Sequence, residues 1–112
     1  MSRALFHALF LFLLPAAASA APETVTFKSA DNATTLVGYL FRPSAPGPHP
    51  AIVMLHGRAG PYSSNSNATC TFVGPGIASP CNANTLTRRH MMWGEFWSQR
   101  GYLALLPDSF GP

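Results

Sequence analysis

Two short, uninterrupted apolar segments, AIVML (Ala51–Leu55) and YLALL (Tyr102–Leu106), constrain this chain more than any other feature. Runs of this length bounded by turn residues read as strands covered on both faces, the pattern of parallel sheets. Between them the period changes. Trp93, Phe96 and Trp97 fall at i, i+3 and i+4, with Met92 beside Phe96 on the same face, which predicts a helix from about Thr85. Thr85 or Thr87 is placed to cap its start, and Gly101 stands where a helix C-terminal glycine belongs. Gly94 inside the helix costs ~1 kcal/mol relative to alanine, so close packing is expected there, and the aromatic stripe reads as core. Strand, helix, strand is a βαβ unit, and such crossovers are almost always right-handed.

Upstream, Glu23–Ala30 (ETVTFKSA) alternates Val25 and Phe27 against Thr24, Thr26 and Lys28, the signature of a half-exposed strand. Asp31–Asn32 signals a turn, and Thr35–Phe41 forms a second strand, so a hairpin is expected. Arg42–Pro50 (RPSAPGPHP) holds four prolines and a glycine and reads as a rigid, exposed connection. An antiparallel hairpin leading into a parallel βαβ unit describes an open α/β sheet. In such sheets ligands sit beyond the C-terminal ends of the strands. "HGRAG" (His56–Gly60) and "PDSF" (Pro107–Phe110) both lie there.

The first 20 residues have a separate purpose. Met1–Ser2–Arg3 is a positive leader, Ala4–Leu14 an apolar stretch, and Ala18–Ser19–Ala20 fits a small-residue cleavage site. This is the pattern of a secretory signal peptide; the apolar run falls short of the ~18 residues a spanning helix needs. Residues 1–20 are therefore expected to be removed, giving an exported protein, periplasmic or secreted, with no stable membrane insertion afterwards. Of the seven Lys and Arg, Arg3 leaves with that segment; six then face four Asp and Glu, a net charge of +2. So small and scattered a charge argues against a nucleic-acid or anionic-membrane surface.

Export gives the two cysteines meaning. Cys70 and Cys81 both lie in the long loop Pro61–Asn84, and two cysteines within one loop of an exported chain are expected to be bridged. Closing so short a loop is worth on the order of 3 kcal/mol against the unfolded chain. A metal pair or a reactive thiol lacks support, since there is no C-x-x-C and no organised histidine partner. His49, His56 and His90 likewise show no metal-ligand spacing. Asn32–Ala33–Thr34 and Asn67–Ala68–Thr69 match the glycosylation sequon.

With these elements in order, "HPAIVMLHGRAG", a variable loop and "RRHMMWGEFWSQRGYLALLPDSFGP" resemble the start of a dienelactone hydrolase-like member of the α/β-hydrolase superfamily. The similarity runs from about Val25 to Pro112. "LHG" after an apolar strand is shared by many α/β-hydrolases; the aromatic helix followed by "GYLALLPDSFGP" narrows the match. The resemblance implies residues 21–112 are the N-terminal portion of a mostly parallel hydrolase sheet. It implies hydrolysis of a small-molecule ester or lactone, without a cofactor, by a Cys or Ser nucleophile followed by Asp and then His. The nucleophile of that family sits in G-x-[CS]-x-G, on a sharp strand-to-helix turn. No such motif occurs in the 112 residues. Ser63 and Ser64 are not flanked properly, and Cys70 and Cys81 precede the crossover helix. The expectation is a chain that carries part of a hydrolase and is inactive alone.

In the superfamily one oxyanion donor is a backbone N–H from the loop after this strand, and the resemblance places it at Arg58. An ordinary Gly-rich turn would account for the same residues. His56 precedes any nucleophile and reads as a loop-shaping residue, because the triad base comes last in the chain. Asp108 likewise reads as a turn or cap residue. The Arg58 guanidinium suits a substrate carboxylate as well as it suits solvent. Arg88 and Arg89 in the first helical turn oppose the helix dipole and read as a solvated face. The competing reading is a small exported binding module with the disulfide loop as its working surface, or an esterase or peptidase of another α/β-hydrolase family. Under the hydrolase reading, residues 21–112 on their own should aggregate or stay partly unfolded, because the last strand would present an unpaired apolar edge.

Overall fold

The computed structural model describes residues 21–63 and 79–109. Residues 1–20, Cys70 and most of the long loop lie outside these, and with them the expected signal peptide. The described residues form a mixed four-stranded sheet with one α-helix, a small α/β domain. Strands β1 (Glu23–Lys28) and β2 (Thr35–Phe41) make the expected antiparallel hairpin, in a register pairing Val25 with Gly38 and Phe27 with Leu36. Asn32 takes a left-handed φ of 61° at its turn. The Asp31 carboxylate accepts from the Ser29 hydroxyl at 2.5 Å and the Ala33 N–H at 3.1 Å, which holds its pKa below the usual carboxylate range.

The βαβ unit is present. Strand β3 (Ala51–Val53) runs parallel to β4 (Leu103–Pro107), and helix α1 (Arg88–Ser98) connects them. Thr87 caps the helix, its Oγ1 accepting the His90 N–H at 3.2 Å. Gly101, at φ 87°, closes it: the Tyr102 N–H reaches the Trp97 carbonyl and the Gly101 N–H the Ser98 carbonyl, both at 3.1 Å. This double bond pattern is the Schellman closure, and the Trp97–Tyr102 ring contact at 5.3 Å supplies its apolar partner.

Three expectations are corrected by the strand order β1-β2-β4-β3 and by the seating of the helix. Chain order suggested β4 as the open edge. Instead β4 enters between β2 and β3, antiparallel to the first and parallel to the second, so among the described residues the open edges of the sheet are β1 and β3. Nor is Ala51–Leu55 covered on both faces: Ile52 and Met54 pack against the core, whereas on the opposite face Val53 is 58% and Leu55 78% exposed.

The third correction concerns the aromatic stripe. The helix meets the sheet at Gly94, where an added Cβ would fall onto the Phe41 ring. The close packing expected of that glycine is therefore present, and it fixes which face points inward. Met91 and Trp97 pack against the core, whereas Trp93 is 43% and Met92 54% exposed. Trp93, Phe96, Trp97 and Tyr102 continue as an edge-to-face ladder along the helix flank, at centroid spacings of 5.2–5.3 Å.

The core lies on the helix side of the sheet. Val37, Tyr39 and Phe41 from β2 meet Ala104 and Leu106 from β4, and Tyr62, Cys81, Ala83 and Leu86 close the end. On the other side Gly38 leaves room for Leu105 and Phe27; a Cβ there would sit 3.0 and 3.2 Å from them.

Candidate functional site

The C-terminal ends of β3 and β4 bring together two segments that are 53 residues apart in sequence. After β3 the ladder continues for one bond, Met54 N–H to the Leu105 carbonyl at 2.8 Å, and the chain then turns. Gly57 and Gly60 close that turn through a Gly60 N–H to Gly57 carbonyl bond of 3.0 Å, with Gly60 at φ 78°. Arg58 is the second residue of the turn. Its own N–H has no acceptor among the described residues, and its side chain lies on the exposed surface.

His56 joins this turn to the one after β4. Its imidazole is buried, with 1% of the side chain exposed. A carbonyl only accepts, so the 2.9 Å contact between Nδ1 and the Gly57 carbonyl places a proton on Nδ1. Nε2 accepts from the Ser109 N–H at 3.0 Å and lies 2.9 Å from the Ser109 Oγ, whose hydroxyl donates to it. The ring is therefore the neutral Nδ1–H tautomer, with both nitrogens engaged. The loop-shaping role expected of His56 is visible in these bonds.

Asp108 is more than a turn residue. Its side chain is 2% exposed, with Oδ1 at 3.8 Å from His56 Nε2, a nitrogen that carries no proton to share. Its Oδ2 accepts from the Tyr62 hydroxyl at 2.8 Å. Tyr62 has then spent its one proton, so Tyr39 must be the donor in the 2.7 Å bond between the two tyrosine oxygens. Burial, with the hydrogen bond to the Asp108 carboxylate adding to it, pushes the Tyr62 pKa far above the ordinary phenol range. A relay thus runs from the middle of β2, through Tyr62, to the end of β4. Sequence reasoning missed it. The one available signal was an acid directly after an apolar strand, and nothing in the sequence placed Tyr62 beside it.

The floor of the site is pinned to the helix. The Thr87 N–H bonds the Pro61 carbonyl at 2.9 Å, and His90 Nδ1–H reaches the same carbonyl at 3.1 Å and Thr87 Oγ1 at 2.7 Å. Burial holds the His90 pKa below the ordinary histidine value, with the nearby His56 and Arg89 adding to the effect. Arg88 and Arg89 are exposed, as expected of a solvated face. Cys81 is buried and disulfide-bonded; its expected partner, Cys70, lies outside the described residues.

A cavity of about 480 Å³ lies elsewhere, among Glu23, Phe41, Arg42, Glu95 and Gln99. Phe41 pairs with Ala104, so this cavity is at the N-terminal end of β4, opposite His56 and Ser109. The Arg42–Glu23 ion pair at its rim, 2.6 Å long, is half exposed. No helix among the described residues is long and apolar enough to cross a membrane. No family model, no curated protein and no solved structure matches the chain.

Proposed function

We propose that this chain is the N-terminal portion of an exported hydrolase of carboxylic esters or lactones, of the dienelactone hydrolase-like kind. The observation that carries the reading is the N–H of Arg58, which has no acceptor among the described residues. It sits in a tight turn at the C-terminal end of a parallel strand, at the start of the long connection to the crossover helix. A tetrahedral intermediate needs fixed donors aimed at its oxyanion, and loss of one such donor costs ~3 kcal/mol of transition-state stabilisation. The His56–Ser109 bonds hold this turn against the end of β4, which is the fixity such a donor requires. The antiparallel hairpin followed by a parallel βαβ unit supports the same reading. The nucleophile elbow belongs to residues outside these 112.

The test has two parts. Reading the coding sequence past residue 112 should show G-x-[CS]-x-G followed by Asp and His. The longest protein the gene encodes should turn over aryl esters, and Arg58→Pro should lower kcat by about 100-fold. That variant is well matched to the site, because proline is favoured at the second position of such a turn and removes the N–H, while Arg58→Ala, which keeps the N–H, controls for loss of the side chain. An elbow that is missing, or an Arg58→Pro enzyme at full rate, would sink the proposal.

A further inference from the structure

The bonds between His56 and Ser109 also have a chemical reading. Ser109 is exposed, and its Oγ lies 2.9 Å from His56 Nε2, the unprotonated nitrogen of a buried ring. The other nitrogen is fixed by the Gly57 carbonyl at 2.9 Å. Nucleophile, base in reach and a third group orienting the base are the three parts of an activated serine. Arg58, two residues beyond His56, adds an N–H with no acceptor among the described residues.

We propose that Ser109 and His56 form a dyad that takes one acyl or phosphonyl group from an activated ester or fluorophosphonate. The proposal goes beyond the hydrolase reading and shares with it the Arg58 donor and the His56–Ser109 bonds, which here have a chemical as well as a structural role. The Ser109 hydroxyl passes its proton to His56 Nε2 as Oγ bonds to the electrophilic carbon. The tetrahedral intermediate then collapses and breaks the bond to the leaving oxygen. That oxygen takes the proton back from Nε2, giving an acyl-serine and an alcohol. With a fluorophosphonate, Oγ instead bonds to phosphorus, the P–F bond breaks, and fluoride leaves while the proton stays on Nε2 before passing to solvent, giving a phosphonyl-serine. The Ser109 N–H occupies part of the same lone pair at 3.0 Å, so the base is partly engaged at rest and must release the amide as it takes the proton. The reaction is accordingly a slow, single-turnover modification.

The full chain is incubated with a small fluorophosphonate at neutral pH and the adduct is located by peptide mass spectrometry. The expected result is one adduct at Ser109, abolished by Ser109→Ala and by unfolding in urea. His56→Gln keeps an acceptor for the Ser109 N–H without a base of useful strength and should slow labelling ~100-fold, the usual contribution of a general base. His56→Asn serves as a second base-deleted variant and should slow it similarly. No adduct at Ser109, or an adduct formed equally fast in both His56 variants or in urea, overturns the proposal. Arg58→Pro separates the two readings. Labelling slowed ~100-fold supports the oxyanion donor as well; labelling at full rate leaves the dyad standing and removes the donor.

Discussion

Ser109 gives both its backbone N–H and its hydroxyl to one nitrogen of His56, at 3.0 and 2.9 Å, so the turns ending two neighbouring strands are locked together. Proton positions make this visible in solution. His56 Nε2 should resonate in the unprotonated nitrogen range and Nδ1 in the protonated range. His56→Ala should destabilise the chain by about 1–3 kcal/mol and speed amide exchange at Ser109. A ring that titrates freely with unchanged Ser109 exchange would show that the two turns are not joined.

Gly94 sets a contest between helix propensity and packing. Alanine in a helix interior is favoured over glycine by about 1 kcal/mol. Its Cβ, however, would fall onto Phe41, and overpacking of this kind costs about 1–3 kcal/mol. Gly94→Ala should therefore destabilise on balance, as read by chemical denaturation. Gly94→Ala with Phe41→Leu should recover part of the loss.

The tyrosine relay is asymmetric. Tyr62→Phe removes the donor to a buried carboxylate and the acceptor for Tyr39, and should cost about 2 kcal/mol or more. Tyr39→Phe removes only the outer donor and should cost about 1 kcal/mol. Equal costs in urea melts would mean that Asp108 does not depend on Tyr62.

His90 gives the fold a pH dependence of definite sign. Its folded pKa lies below that of an ordinary histidine, with burial the main cause. The unfolded chain therefore binds more protons in this window, and stability rises with pH. The contribution is complete above about pH 6.5, the unfolded value, and is lost as pH falls below it toward the folded value. Melting curves from pH 7.5 to 5 should show this decline, and His90→Asn should flatten it.

The exposed edge governs solubility. Val53, on the edge strand β3, and Leu55, just beyond it, are 58% and 78% exposed. Residues 21–112 should self-associate, and Val53→Lys with Leu55→Glu should return them to monomers in light scattering, because charged side chains blunt an edge. Monomers of the unsubstituted protein at high concentration would refute this.

The local elements were legible because each rests on near neighbours. Thr24–Lys28 alternate, Thr87 caps, Gly101 closes the helix, and Gly94 marks the close approach. What the sequence left hidden depends on contacts across long separations. Whether AIVML is central or at an edge is decided by where β4 inserts, and strand order leaves no local trace. The helix face is decided by Gly94 against Phe41, so the most aromatic positions, Trp93 among them, need not be the most buried. For the candidate site, the turn at His56–Gly60 was visible, and so was a loop-shaping histidine. Its partner Ser109 and the burial of Asp108 were not, since those bonds span 53 and 46 residues.

The place of β4 in the middle of the sheet also sets a timetable. β2 and β3 each pair with β4, and they do not pair with one another. A chain emerging from its N-terminus can close the β1–β2 hairpin early, but β3 has no strand to join until Leu103–Pro107 has cleared the ribosome. Late arrival of the strand that bridges the sheet means high contact order and slow closure. The delay bears on the proposal of export, because a chain that cannot complete its sheet stays threadable until nearly all of this segment has passed.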